Sequence, residues 1–235
     1  VCLSQGLIVL QWHDAKWGTL ANLLVLVAII PGAAIGRFHR ASEAQAEAIR
    51  ARARETASPP VTEAALSGLP PPVGRWLRAS GILGKPRPAH VKLQQRGQLR
   101  TAPDAPFVDA IATQTFSIDP PAFVWSVDLT MGHVLPIVGR DTCVDGRGHM
   151  LIRAAGLKTV ADGQGPKFDQ GTLLRFLGET IWFPAAVLEP YVSWRGLDDH
   201  DAEATLTFGG TTVTAIFTVD DRGRVSRLRA SRYFG

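Results

Sequence analysis

Acidic residues fall close together at Asp141 and Asp145, at Asp169 and Glu179, and at Asp198, Asp199 and Asp201. A pair of carboxylates performs acid and base chemistry when its surroundings hold the two pKa values apart. Asp141, Asp145 and Glu179 are the catalytic candidates on that ground. Structural alternatives stand beside them: Asp145 precedes Gly146 in a turn signal, Asp169 reads as a helix cap, 198–201 reads as a strand connection, and Glu179 stands one turn after Arg175. The six histidines lack HExxH or comparable spacing, with His133, His149 and His200 isolated among strand and loop residues, so no metal is expected. Cys2 and Cys143 lie too far apart for a disulfide framework or a paired-thiolate site. No GxSxG elbow, P-loop or GxGxxG is present, so hydrolase, nucleotide and dinucleotide chemistry have no motif and no cofactor is expected. An unfamiliar enzyme stays open as an alternative.

Binding chemistry has more support. Phe123, Trp125, Val127, Leu129 and Met131 alternate with Val124, Ser126, Asp128 and Thr130, the pattern of a half-buried strand with an aromatic inner face. Downstream, Leu173, Leu177 and Ile181 repeat at helical spacing, with Leu174 and Trp182 widening the stripe. Phe123, Trp125, Val127 and Met131 of the strand, with Phe176, Leu177 and Trp182 of the helix, are expected to line a space for a lipid or another apolar ligand. Two basic stretches, 85–100 and 222–232, contain no acid. They lack the interleaved aromatics of a nucleic-acid reader, so no nucleic-acid partner is expected. Lipid headgroups or a merely solvated strand face account for them.

The elements that must position these residues begin at a membrane. The composition is 46% hydrophobic, which excludes global disorder, and the apolar excess is concentrated at the N-terminus. Residues 18–36 (GTLANLLVLVAIIPGAAIG) carry no charge and match the length of a membrane-crossing helix, with Pro31 near its end. Residues 1–12 read as the tail of a preceding membrane helix, and the start on Val rather than Met reads as a fragment of a longer protein. A polar connection flanked by Trp12 and Trp17 joins the two. After the span come Arg37, Arg40, Arg50, Arg52 and Arg54, against Lys16 before it, which predicts the domain on the cytoplasmic side of a bacterial inner membrane. Residues 37–58 are helix formers without a sustained apolar stripe, read as a basic, solvated helical stalk that could also touch anionic headgroups.

Residues 59–88 predict short helices, one near 62–66 and one from Pro72 to a stop at Gly81, then an extended lead-in. From 89 to 235 the apolar period becomes two, over 91–99, 108–118, 123–131, 202–208 and 213–219. Turn signals at 119–121, 145–146, 162–163, 209–210 and 220–223 imply antiparallel neighbours. One amphipathic helix, 169–188, interrupts the meander. The fold class expected is α+β: a curved antiparallel sheet, or open half-barrel, covered by that helix.

The segments RWLRASGILGKPRP at 75–88, GRDTCVDGRGHM at 139–150, DQGTLLRFLGETIWFP at 169–184 and DDHDAEATLTFGG at 198–210 resemble an uncharacterised bacterial family of membrane-associated proteins. WHDAKWGTLANLLVL at 12–26 resembles the last membrane hairpin of its multi-span members. The resemblance implies a domain of unknown function and offers no established catalytic residues to carry over. A fold-level likeness to periplasmic lipoprotein carriers, half-barrels around an acyl-chain cavity, is similar only in outline and conflicts with the cytoplasmic charge bias. Three readings follow: a membrane-anchored binder of a lipid or apolar ligand, an enzyme acting on a membrane-associated substrate through Asp141, Asp145 or Glu179, and a structural module docking an unknown protein partner.

Overall fold

The computed structural model describes residues 1–53, 59–100, 102–132 and 134–233. Arg54, His133 and the end of the expected stalk lie outside the described residues. The chain begins with two short helices, α1 (Cys2–Leu10) and α2 (Trp12–Ala15), and a long one, α3 (Trp17–Arg52). α1 packs on the start of α3 through polar side chains: the Gln5 amide donates to Thr19 Oγ1 at 3.0 Å and the Asn22 amide donates to Gln5 Oε1 at 3.0 Å. The first half of α3 is long and apolar enough to cross a membrane, and its side chains are mostly exposed.

α3 does not end near Pro31; it continues unbroken to Arg52. Nor is its second half a solvated stalk. Ala34, Phe38 and Ser42, at i, i+4 and i+8, are buried against the domain, and Ile49, seven residues on, continues the same stripe. Small residues hide this stripe from a hydropathy reading. Ser42 fits it because its hydroxyl donates to the Phe38 carbonyl at 3.0 Å, so its own polar group is paired.

A 3-10 turn (Glu63–Leu66) and α4 (Pro71–Ala79) lead into the strands, with Pro71 supplying the fixed φ of a first helical turn. Six antiparallel strands then pair in chain order: β1 (His90–Leu99), β2 (Val108–Ser117), β3 (Ala122–Met131), β4 (Leu135–Val144), β5 (Arg147–Ala154) and β6 (Lys158–Gln164). Asp162 and Gly163 lie within β6 rather than in a turn. α5 (Pro166–Glu179) follows, then 3-10 turns at Thr180–Trp182 and Pro184–Leu188. The chain finishes with β7 (Val192–Gly196), β8 (Asp201–Phe208), β9 (Thr211–Val219) and β10 (Val225–Arg229), a second antiparallel sheet. The expected single meander is thus divided in two by α5, and neither sheet closes on itself.

α5 packs on β4, β5 and β6 of one sheet and on β8 and β9 of the other. Leu173, Phe176 and Leu177 fill this space together with Phe116 and Phe123, all without solvent exposure. Ile181 falls beyond the last turn of α5 and is exposed, so the apolar series stops at Leu177. Trp76 of α4 stacks on Phe217 of β9 at 5.6 Å, which seals the second sheet. Where the sheets meet, the β4–β5 and β8–β9 turns touch so closely that a Cβ on Gly146 would stand 2.7 Å from the Gly209 Cα. Both glycines have positive φ, a backbone state that costs glycine little.

Candidate functional site

The six-stranded sheet presents two different candidate surfaces. On its inner face, toward α5, the antiparallel register sets Gln114, Trp125 and Asp141 side by side on β2, β3 and β4. Arg175 of α5 reaches into this row. Its Nη1 donates to Asp141 Oδ2 at 2.7 Å and its Nε to Glu179 Oε1 at 2.8 Å. The Gln114 amide donates to Glu179 Oε2 at 2.7 Å, and Trp125 Nε1 donates to Gln95 Oε1 at 2.8 Å. The guanidinium lies 4.8 Å from the Trp125 ring and 5.1 Å from the Phe123 ring, where aromatic faces attract a cation.

Burial pushes the Asp141 and Glu179 carboxyls up from their ordinary values, and the Arg175 charge holds that rise back. Two of the three catalytic candidates therefore share one cation. Asp145 is not among them: it occupies the β4–β5 turn at positive φ, and Arg52 of α3 donates to its Oδ1 at 2.6 Å. Asp169 does not cap α5, whose N-cap is Gly165. It is buried in the first turn, where it accepts from the Gly148 N–H at 2.7 Å and from Arg147 at 2.9 Å, lashing α5 to β5. Asp198 accepts from the N–H groups of His200 and Asp201, which closes the loop before β8.

The expected ligand-lining residues separate in the fold. Phe123, Phe176 and Leu177 are fully buried core, and Val127 packs with Ala110 and Ala112. Trp125 is half-buried over Arg175, whereas Met131 and Trp182 are exposed. Aromatic rings supply the filling: Phe116 lies 4.5 Å from Phe183 and 6.1 Å from Phe176. The space between the sheet and α5 is occupied by side chains, because α5 presents bulky residues there.

The outer face of the same sheet does hold a space. Between α3 and strands β1 to β3 runs a cleft of about 630 Å³. Its helical wall carries His39, Glu43, Ala46 and Glu47, and its sheet wall carries Lys92, Thr113, Thr115, Val124 and Ser126. His39 Nε2 lies 2.8 Å from Asp128 Oδ1, and Arg50 Nη2 donates to Glu47 Oε1 at 2.6 Å, so both signs of charge line the walls. Sequence reasoning missed this cleft. The alternation that sets Val124, Ser126 and Asp128 opposite the aromatic face was legible, but nothing in it indicated that α3 lies on that side.

His149 meets Asp162 at 2.8 Å and His200 meets Asp221 at 2.9 Å; among the described residues no group of three or more His, Cys, Asp or Glu is placed to hold a metal. Cys143 is buried, and burial pushes its thiol up to about 11. No curated protein and no solved structure matches the chain, so the likeness to lipoprotein carriers gains no support from a solved fold. The strands, the two sheets and α5 together form the region in which the sequence is recognised, and over residues 59–235 the chain belongs to the family of unknown function DUF6544.

Proposed function

We propose that the protein is a membrane-tethered binding domain that holds a lipid or another amphiphilic small molecule in the cleft between α3 and the outer face of the six-stranded sheet. The carrying observation is the cleft itself. Its volume of about 630 Å³ falls within the range of small-molecule sites, and its lining joins Ala46, Ile111 and Val124 to hydroxyls and charges of both signs. An amphiphile with a zwitterionic or polar head matches such walls. His39 stands three residues beyond the uncharged stretch that ends at Gly36, which brings the cleft to within about 5 Å of the end of the span at 1.5 Å per helical residue. The excess of arginine after the span, Arg37, Arg40 and Arg52 among them, favours the cytoplasmic side of a bacterial inner membrane.

Native mass spectrometry of the detergent-extracted chain tests the binding. The expected result is one co-purified lipid-class adduct on the wild type, lost in Ala46→Phe, which fills the cleft. An adduct retained at equal occupancy in Ala46→Phe overturns the site, and a wild type that takes up no lipid on titration overturns the function. A reporter fused after Gly235 and active only outside the cytoplasm overturns the orientation.

A second reading rests on the meeting of Asp141 and Glu179 at Arg175, which is the arrangement an acid–base pair requires. Both carboxylates are mostly buried, so a substrate reaches only their edges. This reading expects the wild type to alter a bacterial lipid extract and Glu179→Gln to lose that activity. An unchanged extract removes it.

A further inference from the structure

In an antiparallel meander the β1–β2, β3–β4 and β5–β6 connections share one end of the sheet, and α3 fixes where that end lies. Ile49 of α3 packs on Val124 of β3, and His39 bonds Asp128 of the same strand. Ten helical residues thus run beside four strand residues, about 15 Å against about 13 Å, so helix and strand are close to collinear. Met131 lies three residues beyond Asp128, or about 10 Å further along the strand. The same distance along α3 leads from His39 back to about residue 32, inside the uncharged stretch that ends at Gly36.

The β5–β6 turn gives the same level independently. Gly156 abuts the backbone of α3 so tightly that a Cβ there would stand 2.5 Å from the Ile35 nitrogen and 2.8 Å from the Ala34 carbonyl carbon. Among the described residues these turns expose apolar side chains, with Asp104 exposed beside them in the β1–β2 connection. Val134 is 85% exposed, Leu157 50% and Phe107 61%, with Met131, Leu135 and Leu99 also open at the same end. Basic residues ring them: Arg37 and Arg40 on α3, Lys158 beside Leu157, and Arg100, whose guanidinium lies 5.2 Å from the Phe107 ring. Behind the tips Arg140 is buried over the Phe38 ring with its Nε lacking a hydrogen-bond partner, and Arg153 stands on the neighbouring strand.

We infer that the three hairpin tips of the six-stranded sheet are seated in the interfacial layer of the bilayer that α3 crosses, with apolar side chains in the acyl boundary and the surrounding arginines and lysine on anionic headgroups. Apolar side chains flanked by cations are the composition of an interfacial contact. The inference rests on α3 being a membrane span. Its occupant is the lipid surface, because the tips and the span share one level on one rigid helix. The domain then stands upright on its strand ends, with the lower end of the α3 cleft opening at headgroup height.

The test uses the full chain in vesicles containing anionic phospholipid and lipids spin-labelled on the acyl chain. Single cysteines carrying a bimane fluorophore are placed at Leu24, Val134, Leu157 and Arg147 in a Cys2→Ser background; Cys143 stays silent, being buried with its thiol pushed up to about 11. The expected result is loss of emission at Leu24, Val134 and Leu157 and full emission at Arg147, at the opposite end of the sheet. Quenching at Leu24 with Val134 and Leu157 as bright as Arg147 overturns the seating and leaves the span. An unquenched Leu24 overturns the span, and the seating with it.

Discussion

On its inner face the six-stranded sheet is closed by α5, whose Phe176 and Leu177 lie against Phe116 and Phe123 with no exposure and whose Arg175 is pinned between two carboxylates. On its outer face the sheet meets α3, which touches it through Ala34, Phe38, Ser42 and Ile49 and leaves about 630 Å³ open beside that line of contact. The contrast comes from side-chain size. A helix with large apolar residues closes down on a sheet until the gap is filled, because every unfilled volume forfeits dispersion contacts. A helix contacting through a single narrow stripe, in which Ala34 and Ser42 alternate with Phe38 and Ile49, lies close at that stripe and does not fill the space to either side. Close packing and an open cleft are thereby assigned to opposite faces of the same strands.

Substitutions separate the two faces. Phe116→Ala on the inner face is expected to cost about 4 kcal/mol, the loss from a large aromatic cavity, read by urea unfolding in detergent. A loss below about 1 kcal/mol would show that the inner face is loosely packed and revive it as a ligand space. Arg175→Met leaves Asp141 and Glu179 buried without their cation and is expected to cost about 3 kcal/mol at about pH 7, shrinking at about pH 4 where both carboxyls take up protons. Glu179→Gln removes one charge from the pair while Asp141 keeps its partner. Glu179 is raised above 4.5 in the folded protein, so its contribution to stability is full below 4.5 and is lost as pH rises through the raised value. The Gln variant should therefore lose less stability than wild type between about pH 4 and about pH 7. An identical slope would mean that Glu179 does not titrate as a buried group. Ala46→Phe on the outer face is expected to change stability by no more than about 1 kcal/mol while abolishing the lipid adduct proposed for the cleft. A large destabilisation there would make the cleft part of the core.

β1, β2, β3, β8 and β9 were legible from alternation, because a one-residue slip would turn Phe123 or Trp125 to the wrong face, whereas β4, β5, β6, β7 and β10 were not read as strands. The charged centre was half legible. Glu179 and Arg175 announce themselves at i, i+4, but Asp141 lies far upstream in sequence and joins them only because β4 lies under α5. Asp145, equally acidic and close by, is kept out of the centre by one local fact, its turn conformation, and one tertiary one, the reach of Arg52 from α3. The cleft was not legible, since its wall belongs to a helix that hydropathy assigns to membrane and solvent.

Local pattern thus determined the apolar helix, strands β1, β2, β3, β8 and β9 and the α+β class, because these depend on the period of side chains along the chain. The division into two sheets, the filling of the inner face and the descent of α3 along the outer face were decided by tertiary packing. Each depends on which surfaces meet, and for α3 the decisive residues are Ala34, Ser42 and the glycine at 156, whose small size carries little hydropathy but sets how closely backbones approach.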